Sequence, residues 1–156
     1  MVKRNCTTRL SRKVVSIILT QTDTTVGFLS QNEIKLQEIK SRTSDKPFIK
    51  VYPDFKSFKK DKNRVPSTQK LKVRRSKKTT FIVKESAFRV AKNQLDSVLL
   101  NSEWYYSTSA NETSKSFDRV FCEEKTDIII ENKELLHEGK PSSLFKINSK
   151  KRRKLR

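Results

Sequence analysis

The chain has 156 residues, the usual size of one domain, and its 36 basic and 17 acidic side chains give a net charge of +19. Leu, Ile, Val and Phe together supply 42 residues, which is enough for a hydrophobic core and argues against a disordered chain. No apolar run approaches the ~20 residues of a membrane span, and the first residues lack the apolar segment of a secretory signal. We therefore expect a cytoplasmic protein that does not contact a membrane.

Short apolar runs alternate with short amphipathic segments along the chain. In chain order we expect a strand at 13–20, a helix at 31–40, a strand at 47–52, a basic helix at 53–60, strands at 79–84 and 87–90, a helix at 93–101, a strand at 104–108, a helix at 117–122 and strands at 127–131 and 143–147. A tight turn at Glu85 and Ser86 predicts a hairpin. The pattern predicts an α/β protein with a single-domain mixed sheet at residues 1–148, followed by a basic C-terminal tail at 149–156.

The positive charge is concentrated in three segments. Residues 1–13 carry +5, residues 56–78 carry +10 and residues 146–156 carry +7, so the rest of the chain is close to neutral. Such segments release counterions when they meet phosphates, which makes a polyanion the natural partner. A membrane surface fits less well because binding to it requires bulky apolar anchors beside the charges.

Histidine, cysteine and glycine are scarce. His137 is the single histidine and is expected in a surface loop, and neither Cys6 nor Cys122 belongs to a Cys-x-x-Cys motif. We therefore predict no metal site. Gly27 and Gly139 are the only two glycines, which excludes the Walker P-loop and the dinucleotide-binding glycine motif.

Polar clusters follow two of the predicted strands. The segment 20–25 is Thr-Gln-Thr-Asp-Thr-Thr, and Ser109, Ala110 and Asn111 follow the strand at 104–108. Ligands of open α/β sheets bind at the carboxyl ends of strands, so we expect both clusters to border one pocket.

Further polar markers complete an ordered series along the chain. The series is Thr22-Asp23-Thr24, Lys40-Ser41-Arg42, Lys46-Pro47, Thr80, Arg89, Ser109-Ala110-Asn111, Pro141-Ser142-Ser143 and Leu155-Arg156. In type and order it resembles the YrdC-like family, the threonylcarbamoyl-adenylate synthases, over about residues 14–156. The resemblance implies a twisted mixed sheet with short helices around a basic cavity.

The resemblance also implies an activity. Family members are nucleotidyltransferases that convert L-threonine, bicarbonate and ATP, the last carried with Mg²⁺, into threonylcarbamoyl-AMP and pyrophosphate for tRNA modification. It assigns catalytic roles to Lys40, Arg42, Ser109 and Asn111. It assigns substrate binding to Thr22, Asp23, Thr24, Lys46, Thr80, Arg89, Ser142, Ser143 and Arg156. The expected macromolecular partners are tRNA or double-stranded RNA, bound through residues 56–78 and 146–156, and downstream tRNA-modification proteins.

The residue types suit this chemistry because fixed cations and hydrogen-bond donors stabilise the charge that develops on a phosphoryl group. The chain departs from the family pattern at several positions. Thr43 replaces the proline after Lys-x-Arg, and no glycine follows Ser109-Ala110-Asn111. Two hypotheses therefore remain open: the protein is an active synthase, or it is a non-catalytic relative that binds RNA. A basic ribosome- or DNA-associated protein is a third reading, but it leaves the strand-end clusters unexplained.

Overall fold

The computed structural model describes residues 2–4, 16–41, 47–62, 64–91, 104–131 and 135–156. The chain groups into two compact units, which are called unit 1 and unit 2 below. Unit 1 comprises Met1–Lys46 and Tyr106–Lys140, and unit 2 comprises Pro47–Tyr105 and Pro141–Arg156. Within the described ranges, no helix is both long enough and apolar enough to cross a membrane.

The elements follow one another in the order β1 (Val2–Arg4), β2 (Ile18–Gln21), β3 (Val26–Ser30), α1 (Glu33–Lys40), β4 (Ile49–Tyr52), α2 (Phe55–Lys60), α3 (Lys70–Arg75), β5 (Thr79–Val83), β6 (Ser86–Val90), β7 (Tyr105–Ser109), α4 (Arg119–Glu124), β8 (Ile128–Ile130), β9 (Ser143–Ile147) and β10 (Arg152–Lys154). A single 3-10 turn at Ser67–Gln69 precedes α3. Three of the described helices begin at side-chain caps: the carboxylates of Asp54 and Asp118 accept backbone N–H groups of α2 and α4, and the amide oxygen of Asn32 does the same for α1.

The sheet of unit 1 has the strand order β1-β8-β2-β3-β7. Strands β2 and β8 are parallel, while β3 runs antiparallel to both β2 and β7. Strands β2 and β7 therefore end at the same edge of the sheet. Leu19 and Leu29 on the strands and Leu36 on α1 are fully buried, and their burial anchors the helix that leads to Lys40.

The sheet of unit 2 has the order β4-β6-β5-β9-β10. Strands β4 and β6 are parallel, as are β5 and β9, and the β5–β6 and β9–β10 pairs are antiparallel. One face carries an aromatic core in which Phe81 and Phe88 of the sheet pack with Phe58 of α2 and Val73 of α3. Side chains alternate along a strand, so Thr80 and Arg89, each next to a core phenylalanine, lie on the opposite face.

The prediction of a mixed α/β sheet with short helices is confirmed. The hairpin is also confirmed, but its turn lies one residue earlier, at Lys84 and Glu85, where Lys84 adopts a positive φ of 55°. The pattern missed β1, β3, α3 and β10. The predicted helix at 93–101 and the start of the predicted strand at 13–20 lie outside the described residues.

The last eight residues form more than a tail. Arg152, Arg153 and Lys154 pair with β9 as the outermost strand of the unit 2 sheet. Beyond them, the Leu155 N–H donates to the Leu144 carbonyl over 2.8 Å. The sequence predicted only a basic tail here because six of its residues, 150–154 and 156, are basic, and basic side chains alone do not predict a strand. The assignment of one domain to residues 1–148 stays a prediction.

Candidate active site

Lys40 is the last residue of α1, and its side chain is buried, with 2% of its surface exposed. Its ammonium group donates to the Ser109 carbonyl over 3.0 Å and to Asn111 Oδ1 over 2.7 Å, and it also donates to the Asn111 carbonyl. A buried charge is costly unless its polar hydrogens are paired, and here three N–H groups meet three acceptors. Lys40 therefore joins the end of α1 to the loop that follows β7.

The loop after β7 is tied together by further bonds. Asn111 Oδ1 accepts a second bond, from Ser109 Oγ over 2.7 Å, and its amide nitrogen donates to the Lys115 carbonyl. Thr113 Oγ1 donates to the Lys40 carbonyl and so closes the loop back onto α1. Three of the four residues predicted to be catalytic are thus in direct contact. The fourth, Arg42, lies outside the described residues.

The Thr22–Asp23–Thr24 cluster forms a tight turn directly after β2. Thr22 Oγ1 donates to the Thr25 carbonyl over 2.7 Å and accepts the backbone N–H groups of Thr24 and Thr25, each over 3.3 Å. Asp23 is buried, with 8% of its surface exposed. The threonine hydroxyl therefore stabilises the turn by the bonding typical of Ser and Thr in loops.

Both strand-end clusters of unit 1 lie beside the start of β3. Gly27 pairs with Thr20 on one side and with Ser109 on the other. A Cβ atom at position 27 would lie 2.9 Å from the Thr22 methyl group and 3.0 Å from the Thr108 carbonyl oxygen, so glycine allows the turn to approach the strand closely. The two clusters therefore lie at the same edge of the unit 1 sheet. That they border one pocket stays a prediction.

The loop at residues 135–140 covers the Thr22 turn. The His137 carbonyl accepts the Val26 N–H over 3.0 Å, and the His137 N–H donates to Gln21 Oε1 over 3.0 Å. The Gly139 N–H donates to Thr25 Oγ1 over 3.1 Å. His137 itself is exposed, as the sequence predicted.

Gly139 permits this contact because a Cβ atom there would collide with the backbone carbonyl oxygen of Thr24. We expect Gly139→Ala to lower the free energy of unfolding by about 1–3 kcal/mol, since either the loop or the turn must move. Urea denaturation measures the change. Lys140→Ala, at the exposed neighbouring position, is the control and should stay within about 0.5 kcal/mol of the wild type. Equal stabilities for the two variants would contradict the close approach.

A second group of predicted site residues meets in unit 2, on the sheet face opposite the aromatic core. Thr80 Oγ1 lies 2.9 Å from Ser142 Oγ and accepts from Arg89 through Nε and Nη2 over 3.3 and 3.2 Å. Arg156 Nε donates to the Ser142 carbonyl over 3.3 Å. Thr80, Arg89 and Ser142 are all buried. A buried guanidinium beside two hydroxyl groups is an arrangement suited to binding an anionic ligand.

The remaining predicted residues contribute differently. Ser143 opens β9, is half-buried and donates its N–H to the Lys78 carbonyl over 3.1 Å. Lys46 lies outside the described residues. Thr113 and Gly139 were not predicted as site residues. The rarity of glycine in this chain could have marked Gly139, whereas a single threonine in a polar loop carries no signal.

Cys122, the one cysteine in the described part of the chain, is buried and does not suit nucleophilic chemistry. Burial raises the pKa of the Cys122 thiol to about 11, and the nearby Lys40 charge only partly opposes that shift. The thiol is therefore protonated at neutral pH and is a poor nucleophile. In the ranges that the structure describes, no three His, Cys, Asp or Glu side chains are grouped to hold a metal ion. Each unit instead offers a buried cation beside hydroxyl groups.

Known structures with the same architecture were compared with the chain. No protein-family profile matches the sequence, and no curated protein matches it. A variant of Sua5 from P. abyssi superimposes with a TM-score of 0.72 at 17% identity, covering 90% of this chain and 49% of Sua5. P. abyssi Sua5 complexed with L-threonine gives 0.69 at 16% identity, covering 90% of this chain and 50% of Sua5. E. coli YciO gives 0.68 at 15% identity, covering 91% of this chain and 82% of YciO.

These similarities establish that the chain has the YrdC-like fold, as the order of its sequence markers predicted. The chain spans about half the length of Sua5 and 22% of the full-length HypF structure, which also shares the fold.

Proposed function

We propose that the protein is an L-threonylcarbamoyladenylate synthase that acts in the cytoplasm. Its substrates would be L-threonine, bicarbonate and ATP with Mg²⁺, and its products threonylcarbamoyl-AMP and pyrophosphate. A downstream tRNA-modification protein would then take up the adenylate. The observation that carries the proposal is the contact of Lys40 with Ser109 and Asn111, about 70 residues away in the sequence, in a fold shared with a Sua5 that binds L-threonine.

The proposed reaction demands positioning and charge stabilisation from the protein. The threonine amine and bicarbonate first form a carbamate: the nitrogen bonds to the carbon of bicarbonate, and a carbon–oxygen bond breaks with loss of water. A carbamate oxygen then bonds to the α-phosphorus of ATP, and the bond from that phosphorus to the bridging oxygen breaks, so pyrophosphate leaves with the electron pair. Negative charge builds on the phosphoryl oxygens during this step, and fixed cations and donors lower its barrier.

The residues then take distinct roles in the proposal. Lys40 holds the loop that carries Ser109 and Asn111, and these two side chains orient the nucleotide or the carbamate. Arg42 contacts the phosphates, a role that rests on the sequence motif. In unit 2, Arg89 supplies a buried positive charge, with Thr80 and Ser142 as hydrogen-bonding groups beside it. Thr22, Asp23, Thr24, Lys46, Ser143 and Arg156 remain proposed contributors to substrate binding.

A pyrophosphate assay tests the proposal. The pure protein, incubated with ATP, bicarbonate and L-threonine, should release pyrophosphate, and omission of threonine should abolish the release. Arg42→Ala should reduce turnover by at least about 100-fold because it removes a charge that stabilises the transition state. The control Lys140→Ala, at an exposed position, should retain full activity. Folded protein that releases no pyrophosphate above the threonine-free background would exclude the synthase.

A non-catalytic RNA-binding role is the second candidate. It is favoured by the concentration of exposed basic side chains in unit 2, where residues 150–156 are all exposed. This candidate predicts RNA binding that weakens steeply with salt, with no threonine-dependent release of pyrophosphate.

A further inference from the structure

The two units differ sharply in charge. Unit 2 contains 22 basic and 5 acidic residues, a net charge of +17, whereas unit 1 contains 14 basic and 12 acidic residues, a net charge of +2. A charge that served solubility alone would not need to be confined to one unit. The positive field of the molecule therefore originates almost entirely from unit 2.

A groove of about 260 Å³ lies within this unit between α3 and β10. It is lined by Leu71, Lys72, Arg75, Ser76 and Arg152. The three cationic side chains are exposed. Within the described part of the chain, none of them forms an ion pair with a carboxylate. Three cations that face one groove favour an anionic ligand there.

Arg152 is held in place for such a ligand. Its guanidinium group lies over the Phe145 ring, 4.9 Å from the ring centroid. This cation–π contact restrains the guanidinium without using its N–H groups, which can therefore donate to phosphate oxygens. Lys72 and Arg75 also stabilise the C-terminal end of the α3 dipole, but this does not explain Arg152, which comes from a strand 77 residues after Arg75.

The groove lies on the helix-covered face of the unit 2 sheet. The Phe145 ring stacks on Phe81 of the aromatic core, with 6.2 Å between centroids, and Val73 of α3 packs into the same core. Thr80 and Arg89 alternate with core phenylalanines and point to the other face. The groove and the proposed substrate-binding cluster of unit 2 are therefore on opposite sides of one sheet.

We propose that this groove binds the sugar-phosphate backbone of a nucleic acid. The same segment carries further exposed cations, at Arg74 on α3 and at Lys77 and Lys78 after it. On β10, the exposed Lys154 lies on the same face as Arg152, because side chains alternate along a strand. An anionic membrane fits less well because α3 has only six residues and Leu71 is the single large apolar side chain on the groove. Contacts to phosphates carry no sequence information, so binding depends on charge and not on base sequence.

The test uses the full chain and fluorescence anisotropy with a labelled RNA duplex of about 20 base pairs. The variant Lys72→Glu/Arg75→Glu/Arg152→Glu should weaken binding at least about 10-fold at 100 mM salt. The slope of log affinity against log salt should become shallower by about 2–3. The control Lys84→Glu/Lys125→Glu/Lys140→Glu changes three exposed lysines outside the groove. It carries the same change in net charge and should weaken binding by less than about 3-fold.

Two further measurements complete the test. Parallel titrations with a DNA duplex and with single-stranded RNA identify which nucleic acid binds most tightly, and each result supports a backbone-binding groove. Pyrophosphate release should be equal in the groove variant and the wild type. RNA binding tests the groove and pyrophosphate release tests the synthase, so either proposal can be overturned while the other stands. Wild-type affinity in the folded groove variant, equal losses in both variants, or tighter binding to phosphatidylserine vesicles than to nucleic acid would overturn the proposal.

Discussion

Replacing Lys40 with methionine should lower the free energy of unfolding by about 3 kcal/mol and abolish threonine-dependent pyrophosphate release. The substitution nearly preserves side-chain volume but removes the ammonium group. The carbonyls of Ser109 and Asn111 and the Asn111 amide oxygen would then each lose a charge-assisted bond, and an unpaired buried polar group costs about 1–3 kcal/mol. Urea denaturation and the pyrophosphate assay measure the two effects.

A matched control for this substitution is Lys140→Met, which removes an exposed lysine from the same unit. Its free energy of unfolding should stay within about 0.5 kcal/mol of the wild type. If Lys40→Met lost less than about 1 kcal/mol, the ammonium group could not be the main link between α1 and the loop after β7.

Replacing Phe58 with alanine should destabilise the protein by about 3–5 kcal/mol, the range for a buried aromatic side chain. Phe58 is 1% exposed, and its ring packs against Phe88 at 4.4 Å, Tyr52 at 5.2 Å and Phe55 at 5.5 Å between centroids. The free energy of unfolding falls for two reasons: the burial of the apolar ring is lost, and a cavity is left between α2 and the sheet. Urea denaturation monitored by circular dichroism measures it.

Val120→Ala on α4 serves as the control for Phe58 because Val120 is 67% exposed. Removing its two methyl groups should change the free energy of unfolding by less than about 0.5 kcal/mol. A loss below about 2 kcal/mol at Phe58 would show that α2 is not anchored by this ring.

Several elements were predictable because their signals are local. The β-branched run at 13–20 predicted a strand, and the structure has β2 at its end, where Ile18, Leu19 and Thr20 are all buried. Asp54 after a proline predicted the start of α2, and its carboxylate accepts the Ser57 N–H over 2.6 Å, a bond that also holds the pKa of that carboxyl below its usual value.

Other elements could not be predicted, because their formation depends on pairing with strands that are distant in the sequence. The strand β3 is wholly buried, yet its glycine and serine interrupt the apolar run, and its position follows from pairing with β7 about 80 residues later. The sequences of α3 and β10 consist mostly of basic residues and show no regular apolar pattern, so neither element was predicted.

The candidate site also has features that the sequence predicted and features that it did not. The ordered markers predicted which residues meet, since Lys40 contacts Ser109 and Asn111, and Thr80 contacts Arg89 and Ser142. The burial of Lys40 was not predictable, because lysine is among the residues least often buried and the oxygen atoms that accept from its ammonium group lie about 70 residues away in the sequence. The contribution of Thr113 likewise depends on a backbone carbonyl that no sequence motif records.

The outermost strand, β10, also governs how one copy of the protein meets another. A strand at a sheet margin exposes unpaired backbone groups that can recruit a strand from a neighbouring molecule and start aggregation. Here the outermost strand carries only basic side chains, Arg152-Arg153-Lys154, so pairing two copies of it would place six positive charges on neighbouring strands about 5 Å apart. This repulsion protects a chain of limited apolar content from edge-to-edge polymerisation.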